Sequence, residues 1–280
     1  MEDSILVTGG TGTFGRAFVR YLLDNTEIER ICIYSRGEHS QAELYSYMSG
    51  FQRARCRFFI GDVRDRQRLT RAAHGCRWIV HAAALKRIEV GHYNPQEMVK
   101  TNVLGSMNVL EAAQDVHASK VILISSDKAY QPVSAYGQSK ALAESLFIAA
   151  NHQVGDSGPQ FSVVRYGNVW KSAGSFIPKW KDMIAKGALS VPVTDPECTR
   201  FFMTVDEACA LVMKTLYRRG GDIVVPDLPA YRIGDVVDAM GVRPHVTGLP
   251  SWEKMHESMD DDHCSLTAPR MSVEEIRQWL

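Results

Sequence analysis

The chain has 280 residues, enough for one large α/β unit or two domains sharing a boundary, with a core that needs no covalent staples. Lysine plus arginine number 32 and aspartate plus glutamate 32, so the net charge is zero and phosphate-driven nucleic-acid binding is disfavoured. No apolar run reaches the roughly 18–20 residues of a membrane span, Met1-Glu2-Asp3 carries no basic leader, and the six cysteines form no C-x-x-C pair; a cytoplasmic chain with no membrane contact, metal or disulfide is expected.

The first apolar run, residues 4–7, predicts a strand and leads into Thr8-Gly9-Gly10-Thr11-Gly12-Thr13-Phe14-Gly15 before a helical pattern at 14–23. Glycine at 9, 12 and 15 allows the tight turn and lets backbone approach a pyrophosphate on the helix N-terminus, so a dinucleotide is expected here. The second strand, 30–34, ends in Ser35-Arg36 with no carboxylate before Glu38. A basic strand end points to the 2′-phosphate of NADP, the alternative being that Arg36 is simply a solvated strand-end residue. A helix is predicted at 41–48 and strands at 56–60 and 77–81. Asp62 and Val63 follow the third strand, where the adenine edge would lie, and Ala82, Ala83 and Ala84 follow the fourth with side chains small enough for a cofactor to rest on the backbone.

A long helix is predicted at 95–114, with Asn94 as N-cap and Pro95 at its first position. The strand at 120–125 ends beside Ser126, and the next helix, 135–150, opens on Tyr136-Gly137-Gln138-Ser139-Lys140. This Y-x-x-x-K spacing puts phenol and ammonium on one helical face, which favours phenolate and an acid/base near neutral pH. Residues 151–159 read as a surface loop, 161–166 and 222–225 as strands and 206–217 as a helix, while Asp260–Asp262 reads as a solvated turn. Continuous apolar strands alternating with helices predict an α/β fold, a Rossmann-type doubly wound parallel sheet. Residues 1–166, with 201–225 returning to them, form the expected dinucleotide-binding domain; 167–200 and 226–280, richer in Gly, Pro and Trp, form a smaller substrate-binding lobe.

The glycine turn, Gly61-Asp62-Val63, His81-Ala82-Ala83-Ala84, the strand-end serine and Y-x-x-x-K, in this order, resemble the extended short-chain dehydrogenase/reductase family. Ala84-Leu85-Lys86, Tyr93-Asn94-Pro95, Lys100-Thr101-Asn102, Ser125-Ser126-Asp127-Lys128-Ala129, Val164-Arg165-Tyr166-Gly167-Asn168-Val169 and Thr199-Arg200-Phe201 are similar to the inverting UDP-N-acetylglucosamine 4,6-dehydratases of pseudaminic acid synthesis. The resemblance covers about residues 4 to 257. It implies bound NADP, contacted also by Lys86, Asn102, Tyr136, Lys140 and Tyr166, and a nucleotide sugar, UDP-N-acetylglucosamine, held by Lys86, Asn168, Arg200 and Glu253. It also implies association into a homo-oligomer.

In the implied cycle Tyr136, beside Ser126 and Lys140, takes the C4 hydroxyl proton, Lys128 removes the C5 proton and protonated Asp127 helps expel the C6 hydroxyl. A basic Lys128 then needs a depressed pKa and an acidic Asp127 a raised one, two demands that conflict in an intimate ion pair. Away from these motifs an Asp-Lys pair could be plain solvated surface. The chain also departs from the pattern: Trp170-Lys171-Ser172-Ala173-Gly174-Ser175 stands where relatives carry Gly-Ser-Arg-Gly-Ser, and Gly248-Leu249-Pro250-Ser251-Trp252-Glu253-Lys254 where they carry Gly-Ile-Arg-Pro-Gly-Glu-Lys. A diphosphate-pairing arginine is thus missing, which Arg200, Lys171 or Arg243 could replace, and Trp252 could stack on a base or pack the lobe. The competing expectations are a UDP-N-acetylhexosamine epimerase, a dehydratase of different regiochemistry or nucleotide sugar, an ordinary reductase and a non-catalytic NADP sensor.

Overall fold

Residues 3–155, 158–172 and 174–280 are described by a computed structural model. All seven predicted strands form, and they line up in one parallel sheet. The first six are β1 (Ser4–Thr8), β2 (Arg30–Ser35), β3 (Cys56–Ile60), β4 (Trp78–His81), β5 (Lys120–Ile124) and β6 (Gln160–Val164). The sheet order is β3-β2-β1-β4-β5-β6, completed at the far edge by Ile223–Val224.

Alternate residues of each strand point to opposite faces, and both faces are covered. Ile5, Val7, Ile31, Ile33, Val80 and Ile122 pack on Phe18, Val19 and Leu22 of helix Thr13–Asn25 and on Val212 and Leu216 of helix Val205–Tyr217. Leu6, Cys32, Ile79, Val121, Leu123 and Val163 pack on Leu69, Val109, Ala143 and Phe147 from helices Arg66–Ala73, Gly105–Asp115 and Ala135–Val154. Each such buried aliphatic or aromatic side chain contributes about 1.5–3 kcal/mol. Strand order reverses between β1 and β4, so the crevice for a ligand opens at their C-terminal ends.

A separate core unites Trp170, Ile177, Trp180, Val191, Tyr231, Val236 and Ile276. Two small sheets flank it: Ser190–Val193 runs parallel to Arg243–Val246, and Thr199–Phe201 runs antiparallel to Ala230–Arg232. Helices Phe176–Ala185, Ile233–Met240 and Val273–Trp279 complete this part, none of them predicted.

The structure departs from the predicted elements elsewhere too, beginning with helices Gly50–Arg55, Arg66–Ala73 and Ile88–Tyr93, which no prediction covers. The helix expected at 95–114 is Pro95–Met98 and Gly105–Asp115 joined by a π-helical segment, Val99–Leu104. Asn94 and Pro95 hold the expected N-cap and first helical positions, but the Asn94 side chain makes no capping bond; its amide instead donates to the Val90 carbonyl at the end of the preceding helix, Ile88–Tyr93. The loop expected at 151–159 begins later, because helix Ala135–Val154 continues to Val154; residues 156 and 157 of that loop lie outside the described residues, as do Met1, Glu2 and Ala173.

Candidate functional site

After β1 the chain turns through Gly9 at φ +68°, the left-handed region that glycine tolerates. A Cβ on Gly9 would stand 2.7 Å from the Ala83 nitrogen, and one on Gly15 2.6 Å from the Gly10 Cα. Backbone packed this closely brings β1, β4 and the helix start together, and a side chain at either position would collide with it. No side chain caps helix Thr13–Asn25 at Gly12. Its N-terminal dipole therefore opens towards a cavity of about 490 Å³ whose wall includes Gly9, Gly12, Thr13, Phe14 and Gly15. These residues fit a dinucleotide pyrophosphate.

Of the other predicted cofactor residues, Ala82, Ala84, Lys86, Tyr136, Lys140 and Tyr166 share the same wall. Thr8 and Asn102 act behind it. Thr8 Oγ1 lies 2.7 Å from His81 Nδ1 and accepts from the Ala83 N–H. The Asn102 amide accepts from the Leu85 N–H at 2.8 Å and donates to the Leu85 carbonyl and Ser139 Oγ, each at 2.9 Å. The π-helical turn aims Asn102 inward, so it clamps the strand end rather than touching a ligand. Ser35 is buried and its Oγ accepts from Gln41 Nε2 at 2.9 Å. Arg36 is exposed, 3.8 Å from Asp62, whose other carboxylate oxygen accepts from the Arg64 N–H. Val63 packs on Gly105. Thr11 accepts at its carbonyl from Arg16 Nε.

The reactive side chains converge at the ends of β5 and the following helix. Ser126, Lys128, Tyr136 and Lys140 all line the cavity. Lys140 Nζ donates to the Ile124 carbonyl at 2.6 Å, and burial pulls its ammonium down to about 8. Burial pushes the Tyr136 phenol up, against the lowering expected from Y-x-x-x-K, while Ser126 and Lys128 pull it back. Lys140 is engaged with backbone here, which is why the spacing alone overstated its effect.

Asp127 is fully buried and absent from the cavity wall, so it stands behind Lys128 and Ser126. Its Oδ1 accepts from Ser126 Oγ at 2.8 Å and from Lys128 Nζ at 3.1 Å, while Oδ2 has no hydrogen-bond partner among the described residues. Burial raises the Asp127 pKa, as an acid would need. Lys128 moves opposite to the expectation. Burial would lower it, but Asp127 and a residue the sequence reading missed, Glu257, lift it above the ordinary lysine value. Glu257 is 1% exposed, with Oε1 3.4 Å from Lys128 Nζ and Oε2 3.1 Å from Lys254 Nζ. Burial pushes the Glu257 carboxyl up, and Lys128, Arg200 and Lys254 together hold it below the usual range. No spacing motif links Glu257 to Lys128, so only the fold could find it.

The wall of the same cavity also carries Asn168, Gly174, Ser175, Trp252 and Glu253. Asn168 Oδ1 accepts from Lys128 Nζ at 3.1 Å, which anchors the lysine. Arg200, predicted to touch substrate, is 4% exposed and pairs with Glu253 while donating to the Thr199 and Met255 carbonyls. It orients Glu253 instead. Trp252 lines the cavity and packs on His92, ring centroids 4.5 Å apart. Neither Lys171 nor Arg243 reaches the wall, whereas Arg87 does, beside Gly174. A larger open groove, about 820 Å³ and lined by Arg30, Phe59, Arg66 and Arg71, gathers none of these residues.

Comparison with known proteins places the chain in a family. The polysaccharide biosynthesis protein family matches residues 5–274. A Campylobacter jejuni protein named UDP-N-acetylglucosamine 4,6-dehydratase (inverting) is 40% identical over 269 residues, 94% of this chain and 79% of that protein. A Rickettsia prowazekii protein named UDP-glucose 4-epimerase is 38% identical over 244 residues, 86% of this chain and 70% of its own. Among solved structures, Pen from Bacillus thuringiensis superposes with a TM-score of 0.92 at 29% identity, covering 99% of this chain and 97% of that one. The chain therefore belongs to the polysaccharide biosynthesis protein family, within the extended short-chain dehydrogenases/reductases.

Proposed function

We propose that this chain is an NADP-dependent, C5-inverting UDP-N-acetylglucosamine 4,6-dehydratase, a hydro-lyase acting as a cytoplasmic homo-oligomer, with 167–200 and 226–280 as its substrate lobe. The observation that carries the reading is one cavity wall bearing both Tyr136–Lys140 and Lys128 with Asp127 behind it. An epimerase that only moves hydride at C4 has no use for the second pair; a dehydratase needs an extra acid and base. The Campylobacter relative carries the name for that chemistry. The Rickettsia relative keeps a 4-epimerase as the second reading.

Bound on the glycine turn, a nicotinamide would supply the transient oxidation at C4 and return the hydride at C6. Tyr136 takes the C4 hydroxyl proton and, because C4 remains a ketone in the product, releases it to solvent to restore the resting phenol–phenolate balance rather than returning it to C4. Once C4 is a ketone, the C5 proton is acidic enough for an amine to remove. Lys128 first passes its ammonium proton to Asp127, then takes the C5 proton and delivers it to the C6 hydroxyl, which departs as water. The pair ends with the proton count it began with. A donor on the other face of the ring then protonates C5, which inverts it. Lys86 and Arg87, cationic at the mouth of the cavity, would meet the diphosphate in place of the missing loop arginine.

A proton NMR time course in D2O with UDP-N-acetylglucosamine and catalytic NADP+ tests this. A new C6 methyl signal, deuterium at an inverted C5 and no net NADPH are expected. Appearance of a C4 epimer without the methyl signal would replace the dehydratase with the epimerase.

A further inference from the structure

We propose that Glu257 is a positioning residue that sets the pH range in which the Asp127–Lys128 pair holds a single proton. The inference deepens the dehydratase reading and rests on it. Lys128 Nζ lies between two carboxylates, 3.1 Å from Asp127 Oδ1 and 3.4 Å from Glu257 Oε1, with Asn168 Oδ1 at 3.1 Å on a third side. Arg200 from strand Thr199–Phe201, Tyr136 from the long helix and Tyr231 from strand Ala230–Arg232 also feel its charge. Of the two carboxylates, Glu257 is the better compensated, since Arg200 and Lys254 also act on it. One oxygen of each carboxylate, Asp127 Oδ2 and Glu257 Oε2, is buried without a hydrogen bond among the described residues, but Glu257 Oε2 lies 3.1 Å from Lys254 Nζ, whereas Asp127 has Lys128 alone as cationic partner there.

A proton added to this cluster therefore goes to Asp127, while Glu257 stays ionised and stabilises the ammonium of Lys128. Both effects raise the macroscopic pKa values of the pair. The cluster also resolves the conflict between an acidic Asp127 and a basic Lys128. Glu257 supplies Lys128 with a counter-ion that does not depend on Asp127, so once Asp127 is protonated and the amine has taken the C5 proton, the buried ammonium is still paired. An amine whose conjugate acid is stabilised in this way is also a stronger base towards C5–H.

The test compares kcat/KM against pH for the wild type, E257Q and E257D, by formation of the 4-keto-6-deoxy sugar. Removing the carboxylate charge should move the acid limb of E257Q to lower pH by about one unit or more and lower its plateau about tenfold. E257D, which keeps the charge, should hold the limb within a few tenths of a unit of the wild type. The alkaline limb, governed by Lys140, should coincide in all three. An acid limb of E257Q superimposed on that of the wild type would overturn the proposal.

A second measurement guards against a variant that fails to fold. Competitive acetic anhydride labelling of the wild-type protein across pH, read by mass spectrometry, follows the ionisation of individual lysines. Lys128 should become reactive at higher pH than Lys140; the reverse order would sink the inference. A wild type that makes no keto-sugar would instead overturn the dehydratase reading, and comparing the labelling pH of Lys128 in the wild type and E257Q would then judge Glu257 separately from it.

Discussion

Gly137 lies inside the Y-x-x-x-K segment, where an alanine should normally help the helix. In helix interiors Gly→Ala gains about 1 kcal/mol from backbone entropy. Here a Cβ would fall well inside 3.0 Å of the Lys128 carbonyl oxygen, 3.0 Å from Pro132 Cβ and 3.2 Å from the Lys128 carbonyl carbon. The obstacle is backbone of the turn Asp127–Ala129, so it cannot be relieved by a rotamer change. Overpacking of this kind costs about 1–3 kcal/mol, so G137A should be less stable by up to about 2 kcal/mol after the propensity gain. For a chain of this size that lowers Tm by a few degrees. The larger effect falls on chemistry. Accommodating the methyl moves Lys128 and Asp127 away from Tyr136 by several tenths of an ångström or more, and about 1 Å of misplacement costs roughly 10²-fold in rate. Thermal unfolding and steady-state turnover should both fall, turnover by about 10- to 100-fold. A G137A protein that is more stable than the wild type and retains full kcat would refute the close packing of helix on turn.

Replacing the acid/base, Y136F should lower kcat by about 10²- to 10⁴-fold and abolish single-turnover reduction of the cofactor at 340 nm while binding of nucleotide sugar persists. Arg165 donates to Glu144 through Nε at 3.0 Å and through Nη2, and to the Met259 carbonyl through Nη1. R165M leaves a carboxylate buried without its cation, so it should lose about 3–5 kcal/mol in denaturant unfolding, and R165M paired with E144L should recover much of it. For Lys140 the folded value near 8 lies below the unfolded 10.5, so its contribution to stability rises as pH climbs between them; turnover, which needs the ammonium, should fall over the same range. The K140M variant should lose that stability slope in Tm measured from about pH 8 to 9.5, and equal slopes in the two proteins would remove Lys140 as its source. Finally, R36A should weaken NADP+ about tenfold or more, the worth of a charge-assisted phosphate bond, and leave NAD+ unchanged; equal effects on both would make Arg36 a bystander.

The sheet was legible because a strand buried on both faces has no polar face, so composition alone marks it. Residues 56–60 were placed to the residue even though β3 is an edge strand, and only its partner Ile31–Ser35 registers show which side it takes. The helices of the second core were not legible, because Phe176–Ala185 carries a proline and two large aromatics whose burial is decided by partners as distant as Tyr231 and Val191. Motif residues fared differently according to what the motif reports. Spacing along a strand end or a helix says which side chains share a neighbourhood, and Ser126, Lys128, Tyr136 and Lys140 do share one wall. It does not say which of two adjacent residues faces the cavity. Asp127 and Lys128 are consecutive in a 3₁₀ turn, so one must turn away, and the carboxylate is the one enclosed. Enclosure is what raises its pKa, and it is also what makes the distant Glu257 necessary, since a buried ammonium between one protonated carboxyl and no other anion would be unstable. The acid and base assigned to neighbouring positions therefore depend on a third group that no local pattern contains.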